Sequence, residues 1–529
     1  MRTLPIGLMA LLLAACASPA NQSKTVEHVA ADPADEMFSD AYRQIADYYV
    51  DPVSVESLAT ASIAGLLRGH GEIVIDEAAH QVSIRESGVE VKRLPEPGRD
   101  DAAGWAGVTS AAITAARAHD PALPSITDEQ AYQRLFDGMI SQLDPRTRYF
   151  GADAVRQMKA TREGFGGVGI TWDFTEAGPT VRTLQPDGPS ARAGLAIGDR
   201  LTAIDDSSIV GLDRNQIIGR LRGRPDSKVS LTVERPQLDK PITVEIRRYL
   251  IIPTSVIAER RDRIAVFHVA TFQINTAKAL NEEVVKARAE MGKNLVGVVL
   301  DLRGSPGGLL DQAPGIASTF LARGEVISTN GRNPKSVQHF EANGSDRIEG
   351  LPLVVLVNGS TNSGAEAVAT ALQDLGRAVV VGTSTYGLGT VQIVLGLKNG
   401  GELSLTWARM ITPAGTVLDR RGVVPTFCTS EPAPASSPAD DAQTRLKHIL
   451  DKGLRSPRRE AARSPAGRTD QDWDAVRRNC PAETSNSDLD FRVAEALLKE
   501  PKLYGDALHS GARIGPYPVR ALNSPLPPS

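Results

Sequence analysis

Cysteine is scarce, with three residues in 529, at positions 16, 428 and 480. Histidine is nearly as rare, with eight. Neither type clusters at metal-ligand spacing and no phosphate-cradling glycine loop is present, so no metal and no other cofactor is implied. Charge of one sign is also lacking. A formal net charge of −4 gives no reason to expect nucleic acid or an anionic membrane surface as a partner. Beyond the first sixteen residues no apolar run is long enough to cross a bilayer. Nor does any segment repeat at a solenoid period. What remains, 41% hydrophobic and 23% charged, is ordinary globular composition, and the length suggests two to four domains.

The N-terminus, "MRTLPIGLMALLLAAC", has one arginine, an apolar stretch and small residues at its end. It is too short for a membrane-spanning helix and reads as a signal segment. "LAAC" at 13–16 resembles the lipobox of bacterial lipoproteins, which implies Cys16 as a lipidated N-terminus. By the same resemblance, Ala17 in place of Asp favours the outer membrane over the inner one. The expectation is a periplasmic protein held to the membrane by a lipid anchor. The alternative is an ordinary signal peptide with an incidental cysteine. Residues 17–36 read as a flexible tether. If Cys16 carries lipid, Cys428 and Cys480 remain, either as one disulfide in an oxidising compartment or as two free thiols.

Helical apolar spacing over 37–68, broken at Asp51-Pro52, predicts two helices and a turn. Alternation over 72–94 predicts a small β insertion, and 128–143 a helix stopped by Asp144-Pro145. From 262 to 428, apolar β-branched runs such as "LVGVVLDLRG", "LPLVVLVNG" and "AVVVGTSTYG" alternate with helical segments. That pattern argues a covered, largely parallel sheet. Residues 429–442 are a Pro/Ser/Ala linker, 443–529 a tail with short helices, and "SPLPPS" a disordered end.

Between these regions "GFGGVGI" at 164–170 is a glycine turn entering a strand. Its freed backbone N–H groups suit a carboxylate, and the strand could accept a peptide edge to edge. A tight turn alone would read the same way. The following "PSARAGL", "GDRLTAID" and "RNQIIGRL" closely resemble a PDZ domain. That resemblance implies binding of protein C-termini, in a groove around Phe165, Gly166, Gly167 and Val168.

Two further stretches carry chemistry. In "LVNGSTNSGAEAVATALQD", Ser363 sits between a buried strand and a helix, where N–H groups could stabilise an oxyanion. Ser363 and Glu366 also have the S-x-x-E form of a capping box, the bland reading. "LDLRGSPGG" ends another strand, with Asp301 and Arg303 as either cleft charges or a structural pair. Together with "DYYVDPV", "LDPRTRYF", "LTWARMITPAG" and "RGVVPT", these pieces resemble the carboxyl-terminal processing (tail-specific) serine peptidases over about 37–428. The resemblance implies a multidomain α+β chain. An N-terminal helical segment (37–161) and a PDZ domain (162–250) precede an α/β catalytic domain of ClpP/crotonase-like type (251–428). It also implies Ser363 as nucleophile, the Gly364 and Gly307 amides as an oxyanion hole, and Gln392 as a residue that holds the general base.

That base, in the family a lysine in T-F-G-K-G-x-V-Q, falls here on Leu388 of "TYGLGTVQ", 25 positions after Ser363 (363 to 388). Leucine accepts no proton, so a Ser–Lys dyad cannot operate. Three readings are open. Another group replaces the lysine, with His268, His339 or Glu366 as candidates. Alternatively, the chain is a pseudopeptidase that binds tails without cutting. Or the leucine is an engineered or sequencing change. The expected function is tail cleavage, with a peptide-binding scaffold as the alternative.

Overall fold

The computed structural model describes residues 33–69, 71–119, 126–175, 178–430, 442–455 and 470–511. Cys16 with its signal segment, most of the tether, most of the linker and the "SPLPPS" end lie outside them.

The first helix, Pro33–Tyr48, begins inside the expected tether. Proline is tolerated in a first helical turn, and Asp35 and Glu36 complement its positive end. Ser54 caps the second helix, Val55–Leu66, after the Asp51-Pro52 break. A capping box of Thr127 and Gln130 opens Asp128–Ile140, which ends three residues short of the expected 143. Glycine lets these two helices cross closely, since a Cβ on Gly65 would lie 2.8 Å from the Gly138 Cα. The three strands Gly71–Asp76, Gln81–Glu86 and Val89–Pro95 form an antiparallel meander on this helical core.

Phe165–Gly167 and Tyr249–Ile251 pair with each other and frame the next module. Its sheet runs Ile242–Arg247, Lys228–Glu234, Arg200–Ile204, Gly178–Leu184, Ile170–Thr175, leaving the last strand at the edge. Helix Arg214–Leu221 buries Ile217 and Leu221 with Val181, Leu201 and Leu231 of that sheet.

The next sheet runs Val256–Arg261, Ile264–Val269, Gly297–Asp301, Leu353–Val357, Val379–Gly382, Phe427–Cys428. Only the first pair is antiparallel. Both faces are covered, which is why its strands read as unbroken apolar runs. Val298, Leu300, Val355 and Val380 face one way, toward Leu280, Ile316, Val368 and Leu372 of three helices. Val299, Val354, Leu356 and Val381 face Ile449, Val493, Leu497 and Tyr504 of the C-terminal helices. The apolar runs form the covered, largely parallel sheet expected of them, but 262–428 also holds a second sheet that the alternation of strands and helices does not reveal. Gln338–Ala342, Gly324–Asn330, Glu402–Ile411 and Thr390–Gly396 form this second, antiparallel sheet. Short apolar runs do not reveal strand direction, because direction is set by which partner supplies the ladder. Arg148–Phe150, within "LDPRTRYF", adds to this second sheet and ties the N-terminal helices to it. Cys428 and Cys480 are joined in a disulfide, with their Cα atoms 5.9 Å apart.

The strand end at Asp301 is anchored by Arg303, which donates to its carboxylate at 2.9 and 2.7 Å and to Asp490 Oδ2 at 3.0 Å. This is the structural pair, not a free cleft charge. Burial alone would raise the Asp301 pKa, but the hydrogen bonds from Arg303, with the His268 ring nearby, outweigh it and hold it at about 2. A depressed carboxyl contributes stability above its unfolded pKa of about 3.9, and that contribution is lost as pH falls toward 2. Urea unfolding of the native chain and Asp301→Asn between pH 5 and 2 is expected to show an advantage of about 2 kcal/mol at pH 5. The advantage disappears across that window.

Candidate active site

Strand Leu353–Val357 feeds a tight turn that delivers Ser363 to the start of helix Gly364–Asp374. Thr361 braces the turn, donating from Oγ1 to Leu302 O at 2.8 Å and accepting at its carbonyl from Tyr386 N at 3.0 Å. Asn362 N donates to Ser305 O at 3.0 Å, joining the "SPGG" loop to the serine turn. Ser363 has φ 55° and ψ −126°. The expected capping box of Ser363 and Glu366 is present, with Ser363 N donating to Glu366, but an N-cap residue ordinarily sits in the β region, so capping alone does not account for the positive φ. A side-chain-bearing residue at such a φ is strained, and the strain persists because its neighbours over-determine it.

The main determinant is Glu366. Its carboxylate is fully buried and accepts four hydrogen bonds. Oε2 takes Ser363 N at 2.9 Å and Leu388 N at 3.0 Å. Oε1 takes Gly387 N at 2.7 Å and Thr385 Oγ1 at 2.5 Å. Burial pushes the carboxyl's pKa up, while the four donors favour its charged form. Because one oxygen accepts from both, the backbone nitrogens of Ser363 and Leu388 are no farther apart than two hydrogen bonds end to end. Position 388 therefore belongs to the same site as the serine.

Gly307 lies against this pair. A Cβ there would fall 2.9 Å from Ser363 Cβ and 2.8 Å from Gly364 N, so only glycine fits. Its φ of 73° also favours glycine. The Gly307 carbonyl accepts from Phe272 N at 2.7 Å and Thr271 Oγ1 at 3.0 Å. Phe272 floors the site, as a Cβ on Gly364 would meet its ring at 2.9 Å. The first N–H groups of a helix have no intrahelical partner, and Gly364 supplies one of them beside Gly307.

Other expected residues have hydrogen-bond or charge partners of their own. Gln392 Nε2 donates to Thr390 Oγ1 at 2.9 Å and Thr406 Oγ1 at 3.3 Å, and no hydrogen bond links it to Ser363 or Leu388 among the described residues. His268 lies 3.8 Å from Asp301 Oδ2. It alternates with Phe267 and Val269, which pack in the Phe272 core, and so takes the opposite face. His339 pairs with Glu325 at 2.8 Å on the second sheet. Neither histidine is joined to Ser363. Glu366 is joined to it, but through the backbone, with both oxygens already accepting. Among the described residues no His, Cys, Asp and Glu group could hold a metal.

Two contributors had no local signal. Arg146 donates to Gly387 O at 3.1 Å and pairs with Asp419 at 2.5 Å, fixing the 387–389 turn from 241 residues away. Arg477, from the tail, donates to Thr385 O at 3.0 Å.

A second concavity, of about 510 Å³, lies between edge strand Ile170–Thr175 and helix Arg214–Leu221. Phe165, Gly167 and Val168 line it with Ile218, Leu221 and Arg222. Gly166 does not, because its amide and carbonyl exchange hydrogen bonds with Gly223 at 3.0 and 2.9 Å. Arg222 stacks 3.9 Å over the Phe165 ring, and burial lowers its pKa.

The chain is similar to known proteins over most of its described length. The model of peptidase family S41 matches residues 263–428, and a PDZ domain model matches 180–235. A carboxy-terminal-processing protease of Bartonella bacilliformis is 34% identical over 311 residues, 58% of this chain and 71% of its own length. A protein of Staphylococcus haemolyticus named as a probable CtpA-like serine protease is 30% identical over 293 residues, 55% of this chain and 58% of its own. The solved photosystem II D1 C-terminal processing protease aligns over 74% of this chain and 92% of its own at 23% identity, with a TM-score of 0.38.

Ser363 separates strain from capping. Ser363→Gly is expected to raise unfolding stability by about 1 kcal/mol by relieving the positive φ. Ser363→Ala is expected to stay within about 0.5 kcal/mol of the native chain. A loss of about 1 kcal/mol in the alanine variant would instead restore the capping explanation.

Proposed function

Since this chain belongs to the carboxy-terminal-processing proteases, serine-type peptidases of family S41, we propose that it takes protein C-termini into its PDZ groove and cleaves peptide bonds with Ser363. The observation that carries this reading is the strained Ser363, pinned by Glu366 beside Gly307 and Gly364. Strain of that kind is kept where a side chain must be presented. In the proposed reaction Ser363 Oγ attacks the scissile carbonyl carbon. The carbonyl oxygen, now negative, faces the Gly307 and Gly364 amides. The Oγ proton passes to solvent water, the C–N bond breaks as the departing amine takes a proton from water, and a second water then hydrolyses the acyl-serine, releasing the carboxyl product and restoring the hydroxyl.

Leu388 favours a second reading, a scaffold that binds tails without cutting them. With no positioned acceptor the serine proton passes to solvent, and loss of a general base costs on the order of 10²–10⁴-fold. The groove and the oxyanion glycines do not depend on that base.

The test uses purified protein with an unfolded substrate bearing an apolar C-terminus. Slow cleavage, abolished in Ser363→Ala, is expected. Leu388→Lys is expected to raise the rate by roughly 10²–10⁴-fold, because its side chain starts at the backbone position hydrogen-bonded to Glu366. Tail binding with no cleavage in either form would establish the scaffold.

We place the protein in the periplasm, anchored through Cys16, on the strength of "LAAC". The Cys428–Cys480 disulfide supports an oxidising compartment. Cys16→Ser is expected to shift the protein from the membrane fraction to the soluble fraction; persistence in the membrane would refute lipidation at this residue.

A further inference from the structure

Residues 477–490 lie beyond the matched peptidase segment, yet they touch every loop of the site. Arg477 donates from Nη1 to Arg421 O at 2.6 Å and from Nη2 to Thr385 O at 3.0 Å. Thr385 is the residue whose hydroxyl donates to Glu366. Three residues later Cys480 is bonded to Cys428 at the end of the sheet. Glu483 O accepts from Gly359 N at 2.6 Å and Thr383 Oγ1 at 3.2 Å. Asn358 donates to Thr484 O at 3.1 Å and Asn486 Oδ1 at 3.0 Å, and its own Oδ1 accepts from Gly304 N at 3.0 Å. Arg303 reaches Ser487 O at 2.9 Å and Asp490 at 3.0 Å. One segment therefore holds the loop bearing Gly307, the turn bearing Ser363 and the turn bearing Leu388.

We propose that this segment is a clamp that sets the three loops of the active site, and that Arg477 is the positioning residue for the Glu366 carboxylate. The physical reason is the cost of a buried charge. Glu366 is out of water, and its donors include Thr385 and Gly387, both in the turn that Arg477 grips. Burial pushes the Arg477 pKa down and the Glu366 charge opposes that push, so the two charges sense each other. A guanidinium suits the place because its planar fork spans two carbonyls, which an ammonium cannot do with the same geometry. Arg477 touches no reacting atom. It acts through the turn, on Glu366, and through Glu366 on Ser363 and position 388.

The clamp rests on the peptidase reading only for its kinetic consequence, so the test has two arms. In the full native chain, amide exchange is measured at Ser363, Gly387 and Leu388, the three backbone donors to Glu366. Arg477→Ala is expected to speed exchange at Gly387 and Leu388 on the order of tenfold or more, and to leave strand Gly297–Asp301 unchanged. Arg477→Lys is expected to recover part of the protection. Reduction of the Cys428–Cys480 bond is expected to loosen the same amides. Uniform loss of protection across the sheet would show a merely structural role and overturn the proposal, as would no change. In the Leu388→Lys background, Arg477→Ala is expected to lower kcat roughly 10–10²-fold with KM unchanged. A rise in KM alone would count against positioning. If neither the native chain nor Leu388→Lys cleaves, the peptidase reading fails, and the exchange arm still decides the clamp.

Discussion

A single buried carboxylate organises this molecule's chemistry. Glu366 has no contact with water, and its charge is tolerable only because four donors converge on it. Those donors come from two places, the serine turn and the 385–388 turn. Satisfying one charge thus forces two separate loops into register. The left-handed conformation of Ser363 follows from the same requirement, since its N–H must face Glu366 while the helix begins at Gly364. Gly307 can then approach so closely only because it has no side chain.

Around this hub the supports come from far along the chain. Arg146 reaches the 387–389 turn from the N-terminal region, and Arg477 reaches it from the tail. The parallel sheet is likewise incomplete without the tail helices, whose Val493, Leu497 and Tyr504 seal one of its faces. A site of this kind is a property of the whole assembled chain. The segment that matches a peptidase model carries Ser363, Gly307 and Glu366, while residues outside it brace the turns that hold them.

Leu388 fits this arrangement without disturbing it. Its backbone N–H still donates to Glu366, and a backbone donor does not depend on the side chain it carries. The turn geometry is therefore independent of which side chain position 388 carries. Neither histidine is hydrogen-bonded to Ser363. His268 is turned to the other face of its strand by the two-residue period of a sheet, and His339 sits on the second sheet beside Glu325.

Much of this was legible in residue order. The apolar runs of "LVGVVLDLRG" and "LPLVVLVNG" marked a sheet buried on both sides, and Asp-Pro steps marked helix ends, because burial and backbone sterics act locally. The positions of Ser363, Gly307 and Leu388 could be read by motif, and the S-x-x-E spacing pointed to Glu366, though as a cap. Strand direction in the second sheet could not be read, nor could the tail's place on the first, because each depends on a partner distant in sequence. The same holds for the pairing of His268 with Asp301 and the grip of Arg477 on Thr385. A hydrogen bond across ninety or more residues leaves no periodicity behind it, so only folding, which brings those groups together, could decide them.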